Sequence, residues 1–127
     1  MFRTFRTLTL AAALALTAPL LSGTAHAATP ATTDGVTVIH LDQYNGYFAA
    51  QETLAGLKPG KYRFVITNKA DKMVGFQIQD GASHAQLDMF PLEPGQSRTS
   101  DVEVGAGGFR YRCPINPTPW YEVNVEA

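Results

Sequence analysis

The chain has 127 residues, one cysteine and a formal charge of −1 at pH 7, from 10 Lys and Arg against 11 Asp and Glu. That length suits one small domain with one core and is too short for two. No basic cluster stands out, which argues against nucleic acid or an anionic membrane surface as a partner.

Residues Met1 to Ala27 read as a cleavable export signal. Arg3 and Arg6 give a basic start, Leu8 to Leu21 is an apolar run rich in Ala and Leu, and Ala25-His26-Ala27 is a small-residue cleavage site. The run falls short of the roughly 18–20 apolar residues a spanning helix needs, and Pro19 interrupts it. No cysteine stands at the cleavage point and the two arginines are not adjacent, so neither lipidation nor a twin-arginine signal is indicated. The expected location is periplasmic or secreted, with no membrane span after cleavage. The mature chain then carries 8 basic and 11 acidic residues, a formal −3.

Ala28 to Gly35 is small and polar and reads as a flexible leader to a domain over 36–127. Val36 to Leu41 is β-branched and apolar, a first strand. Gln43 to Phe48 reads as a loop or short strand over the core, and Leu57-Lys58-Pro59-Gly60-Lys61 as a turn. Lys61 to Asn68 alternates, with Tyr62, Phe64 and Ile66 on one face; Val74 to Gln79 does the same with Val74, Phe76 and Ile78. His84 to Pro91 looks irregular, with room for a short helical turn. Pro94-Gly95 opens a turn into Ser97 to Val104, which carries Val102 and Val104 on one face. After the Gly105 to Gly108 turn, Phe109, Tyr111 and Cys113 point inward and Arg110 and Arg112 outward. Pro114 to Pro119 holds three prolines and cannot be regular strand. Trp120 to Val125 is the closing strand. About seven short strands and no convincing helix predict an all-β Greek-key β-sandwich, with Phe64, Phe76, Tyr111 and Val123 in the core on facing sheets.

The succession Tyr62-Arg63-Phe64-Val65-Ile66-Thr67-Asn68, Phe76-Gln77-Ile78, Leu92-Glu93-Pro94-Gly95-Gln96-Ser97 and Gly108-Phe109-Arg110-Tyr111-Arg112-Cys113-Pro114 resembles the cupredoxins, the small exported blue-copper sandwiches. The resemblance runs from about Tyr62 to Val125. It implies a copper site at the end of the Cys113 strand, built from a His after the Asn68 loop, a cysteine, a second His beyond it and a weak axial Met. Only Cys113 matches. Met73-Val74-Gly75 stands where the first His would be, Pro114 to Pro119 where the second would be, and no Met follows Met89. A blue-copper centre needs His₂Cys in a plane, so the electron-transfer chemistry of the family is not supported.

Beyond the signal, the remaining metal-ligating candidates are His40, His84, Met73 and Met89. Met73 lies near the family's first ligand position, and with Cys113 it would make a soft pair suited to Cu(I); alternatively it packs into the end of the sandwich. His40 shares a face with Asp42, and with Tyr44 if the strand continues: a cation site or a polar outer face. His84 and Met89 flank Asp88 in the irregular segment, as a capture loop or plain solvated chain. Cys113 itself is a ligand, a reactive thiol, an intermolecular disulfide partner or a buried small hydrophobe. Copper or no cofactor at all are both compatible with this set.

Trp120 and Tyr121 follow Pro119 in the loop where the resemblance implies a partner-docking surface; the alternative is Trp120 in the core and Tyr121 outside. No Gly-x-Ser-x-Gly elbow and no phosphate-binding glycine loop occur, and neither His40 nor His84 has an evident nucleophile beside it, so an enzyme is not expected. The sequence therefore predicts a soluble, monomeric, non-enzymatic binding or accessory protein. It takes a soft metal through an atypical Cys113 site, or it is a metal-free module that docks a partner protein near Trp120 or serves a structural role.

Overall fold

The computed structural model describes residues 27–126. The export signal predicted over Met1 to Ala27 lies, but for its last residue, outside the described residues. Among these the chain is all-β and contains no helix, and its nine strands form two sheets packed as a sandwich. The first sheet holds β1 (Ala31–Thr33), β2 (Val36–Tyr44), β3 (Tyr47–Ala50), β4 (Gly60–Asn68) and β7 (Ser97–Val104). The second holds β5 (Val74–Asp80), β6 (Gln86–Leu92), β8 (Phe109–Arg112) and β9 (Tyr121–Val123), in the order β6-β5-β8-β9.

Two strands appear where none was firmly expected. Ala31–Thr33, inside the segment read as a flexible leader, pairs antiparallel with Val36–Val38 of β2. Tyr47–Ala50 pairs with Leu41–Tyr44 further along the same edge. Both hairpins close through two-residue turns with positive φ at each position: Asp34 and Gly35 at 52° and 77°, Asn45 and Gly46 at 53° and 105°. Asp-Gly and Asn-Gly suit that geometry because Gly carries no Cβ and Asp or Asn tolerates the left-handed region. The other edge of β2 runs parallel to β4, from Val36 opposite Lys61 to Gln43 opposite Asn68.

Gln86–Leu92, expected to be irregular, is strand along β5, with a register shift where Ile78 pairs with Asp88 and Gln79 with Gln86. Pro91 is tolerated because β6 is an edge strand and has no partner for a second ladder. The closing strand is shorter than Trp120 to Val125, and Cys113 falls just past the end of β8 rather than within it.

The alternation read from the sequence sets the core. Tyr62, Phe64 and Ile66 from the first sheet face Phe76, Ile78, Phe109 and Tyr111 from the second, all buried. Phe64 meets Phe109 edge-on at 5.1 Å between centroids, and Phe76 meets Phe90 at 5.6 Å. Val123, expected in the core, is half-buried at its margin. Side-chain hydrogen bonds join both open sides of the sandwich. Tyr121 accepts the Phe48 N–H on its hydroxyl at 3.1 Å, linking β9 to β3; Ser100 donates to Asp88 Oδ2 at 2.6 Å, linking β7 to β6.

Candidate functional site

The strand directions bring four connections to one end of the sandwich: the 45–46 turn, residues 69–73, residues 93–96 and the long 113–120 loop. Cys113 lies under this end. Two buried amide side chains brace it: Asn68, which closes the first segment of the cupredoxin-like succession, and Gln43, which no motif marks. Gln43 is fully buried; its Nε2 donates to the Gly75 carbonyl at 2.9 Å and its Oε1 accepts the Gly46 N–H at 2.7 Å. Asn68 donates through Nδ2 to the carbonyls of Lys72 and Leu92 at 2.8 and 3.0 Å, and accepts the Ala70 N–H at 2.8 Å. Buried amides with every group paired hold a backbone in one arrangement, because any slip leaves a polar group unsatisfied.

The 113–120 loop is fastened to this frame. The Asn116 N–H points at Cys113 Sγ, 3.3 Å away, and Asn116 Nδ2 donates to the Asn45 carbonyl at 2.7 Å. Thr118 donates to the Gly46 carbonyl at 3.2 Å. Glycine is required at two contacts: a Cβ on Gly75 would stand 2.9 Å from the Pro114 ring, and one on Gly46 3.0 Å from Thr118 Cγ2. The three prolines thus sit in a clamped loop.

The clamped loop forms a ridge between two grooves. One, of about 500 Å³, is lined by Asn45, Gly46, Tyr47, Thr118, Pro119, Trp120 and Tyr121. The other, of about 300 Å³, lies among Gly75, Met89, Phe90, Pro91, Pro114 and Ile115. Among the described residues, the large apolar side chains left most exposed are Tyr44, Tyr47, Met73, Met89 and Ile115, and every one belongs to this end or lines one of its grooves. The thiol beneath them is fully buried.

The predicted site residues are spread over both ends of the sandwich. Met73 is 44% exposed while its neighbour Val74 is fully buried, so the Met73 side chain turns to the surface, whereas Cys113 is fully buried. Met89 lines the second groove, half exposed. His84 sits in the β5–β6 turn at the opposite end, with its N–H on the Asp80 carbonyl. His40 pairs with Glu52 and not Asp42: its Nδ1 donates to Glu52 Oε1 at 2.5 Å and its backbone N–H to Glu52 Oε2 at 2.7 Å. Glu52 follows β3 and is brought in by the hairpin, so no period-two spacing could have pointed to it. Among the described residues no three His, Cys, Asp or Glu side chains gather as a metal site.

The aromatic pair after Pro119 is placed the other way round from a Trp120-in, Tyr121-out reading. Tyr121 turns inward, stacked on Tyr111 at 5.1 Å and 8°. Trp120 lies outside the second sheet, its ring 4.1 Å from the Arg110 guanidinium carbon and 4.2 Å from that of Arg112.

No protein-family model matches the chain, and no curated protein does.

Proposed function

We propose that the chain is a non-enzymatic binding module on a cupredoxin-like scaffold, exported through its N-terminal segment, which docks a protein partner through the Cys113 end. The observation that carries this reading is that Tyr44, Tyr47, Met73 and Ile115 stand exposed at the braced end of the sandwich and exposed Met89 lines the second groove there. Exposed apolar groups collected in one place mark interaction surfaces more often than scattered ones do. A loop already fixed by Gln43, Asn116 and Thr118 loses little further freedom on binding, which favours affinity.

Copper is not part of this reading, because the donors do not fit it. The one thiol is buried, with a backbone N–H aimed at its sulfur and a proline next to it in the chain; Met73 and Met89 are both exposed; the His40 ring is held by Glu52, and His84 lies in the turn at the opposite end. Soft-metal capture through Cys113 would need Met73 to turn inward past the fully buried Val74.

The test is site-specific photo-crosslinking in cells that export the protein. A crosslinking residue at 115 is expected to trap a defined partner, and one at Ala106, in the turn at the far end, is not. Equal yields from both positions, or none from 115, would remove the docking reading.

A further inference from the structure

The outer face of the second sheet adjoins the Trp120 groove and carries two arginines. Arg110 and Arg112 stand two residues apart on β8, so their side chains leave the same face with Cα atoms roughly 7 Å apart. Both guanidiniums pack on the Trp120 ring. Both are also held from the side by neutral amides. Arg110 donates through Nε and a terminal nitrogen to Gln79 Oε1 at 2.9 and 2.7 Å, and Arg112 donates through Nε to Gln77 Oε1 at 3.2 Å.

Among the described residues neither guanidinium meets a carboxylate. Among the described residues the ion pairs within 4.0 Å are His40 with Glu52 and Arg63 with Asp101. The contrast with Arg63 is direct: on the outer face of the first sheet that arginine has Asp101 directly opposite at 2.7 Å. Glu122 stands opposite Arg110 on β9 and is exposed, yet it does not close on either guanidinium. Amides fix the orientation of a guanidinium without neutralising it. Stacking on an indole holds it further and covers only its plane, leaving edge N–H groups to donate.

We infer that the Arg110–Trp120–Arg112 face binds an extended acidic segment of the docked partner, with carboxylates on alternate residues meeting the two guanidiniums. The inference rests on the docking reading above and names the chemistry of the partner. Charge complementarity selects the occupant: two oriented, unpaired cations lie on a domain whose net charge is negative. The period selects its form, because side chains at i and i+2 of an extended chain repeat the spacing of β8.

The experiment is an NMR titration of the ¹⁵N-labelled protein, purified after export, with a blocked Glu-Thr-Glu-Thr-Glu peptide. Lys-Thr-Lys-Thr-Lys, Gln-Thr-Gln-Thr-Gln and sodium acetate serve as controls. Saturable shifts at the Arg110 and Arg112 Nε–H and the Trp120 indole N–H are expected with the glutamate peptide. The Arg110→Gln/Arg112→Gln protein should bind it roughly tenfold more weakly or worse, and Arg110→Lys/Arg112→Lys should fall between. The lysine pair preserves the charge, so its intermediate affinity separates lost recognition from lost folding. Shifts spread evenly over Lys58, Lys61, Lys69 and Lys72, or equal shifts from acetate, would overturn the inference. Crosslinking at 115 that survives unchanged in the glutamine variant would also overturn it, while leaving the docking reading in place.

Discussion

Asn116 aims its backbone N–H at the sulfur of Cys113, 3.3 Å away, and with its side chain holds the carbonyl of Asn45 on the opposite sheet. One residue thus closes the loop over the thiol and ties that loop to the β2–β3 turn. Substitution by alanine keeps the first contact and removes the second. Asn116→Ala is expected to cost about 1 kcal/mol. The amide hydrogens of Asn45 to Tyr47 should exchange faster, while those of β4 stay protected. Unchanged exchange in the turn would mean that the side chain does not fasten it.

A buried thiol under a clamped loop reacts only when the domain opens. Ellman's reagent should therefore release no thiol chromophore from the native protein and one equivalent after unfolding in guanidinium. By the same reasoning Cu(I) should not titrate onto the native protein one-to-one. Stoichiometric binding that Cys113→Ser abolishes and Met73→Leu weakens would restore a metal site at this end.

Phe76 touches both halves of the aromatic core, with Phe64 at 6.2 Å and Phe90 at 5.6 Å, and is fully buried. Phe76→Ala should cost about 3–5 kcal/mol, a large share of the roughly 5–15 kcal/mol available to a domain of this size. Urea denaturation reads it directly. A midpoint equal to that of the parent would contradict the placement of β5.

Asp80 caps the β5–β6 turn, accepting the N–H groups of Ala82 and Ser83 and the Ser83 hydroxyl on one carboxylate oxygen. These bonds hold its carboxyl below the ordinary 3.8, with the Ser83 backbone N–H the largest cause. A carboxyl with a lowered folded-state value stabilises the fold above its unfolded value, and the contribution fades as pH falls through the folded one. Asp80→Asn should therefore be less stable than the parent near neutrality, and the two should converge in acid. A gap that persists undiminished to pH 2 would assign the effect to the turn geometry and not to ionisation.

The sandwich was legible because its central strands alternate cleanly. Tyr62, Phe64 and Ile66 on β4, and Phe109 and Tyr111 on β8, leave one orientation that buries them. The two edge hairpins carry their own signals, Asp34-Gly35 and Asn45-Gly46, but each joins β2 to a strand of only three or four residues, too short to show an alternation. Strand β6 was illegible because pairing along β5 makes it a strand while its own composition, with Pro91 inside, does not. The end of the sandwich was half legible. Cys113 and the proline loop marked the place, but Gln43, Asn68 and Glu52 act through partners many residues away, and spacing along one strand could not show them. The inward turn of Tyr121 depends on Tyr111 and Phe48, and the outward stacking of Trp120 on the two arginines of β8.

The most direct test of a docking end is the affinity of the crosslinked partner for three proteins: the parent, Ile115→Glu and Ala106→Glu. A charge at the crest of the ridge should weaken binding at least tenfold, about 1.4 kcal/mol, while the same charge at the far turn should leave it unchanged. Equal affinities for all three would contradict the assignment of the Cys113 end as the binding surface.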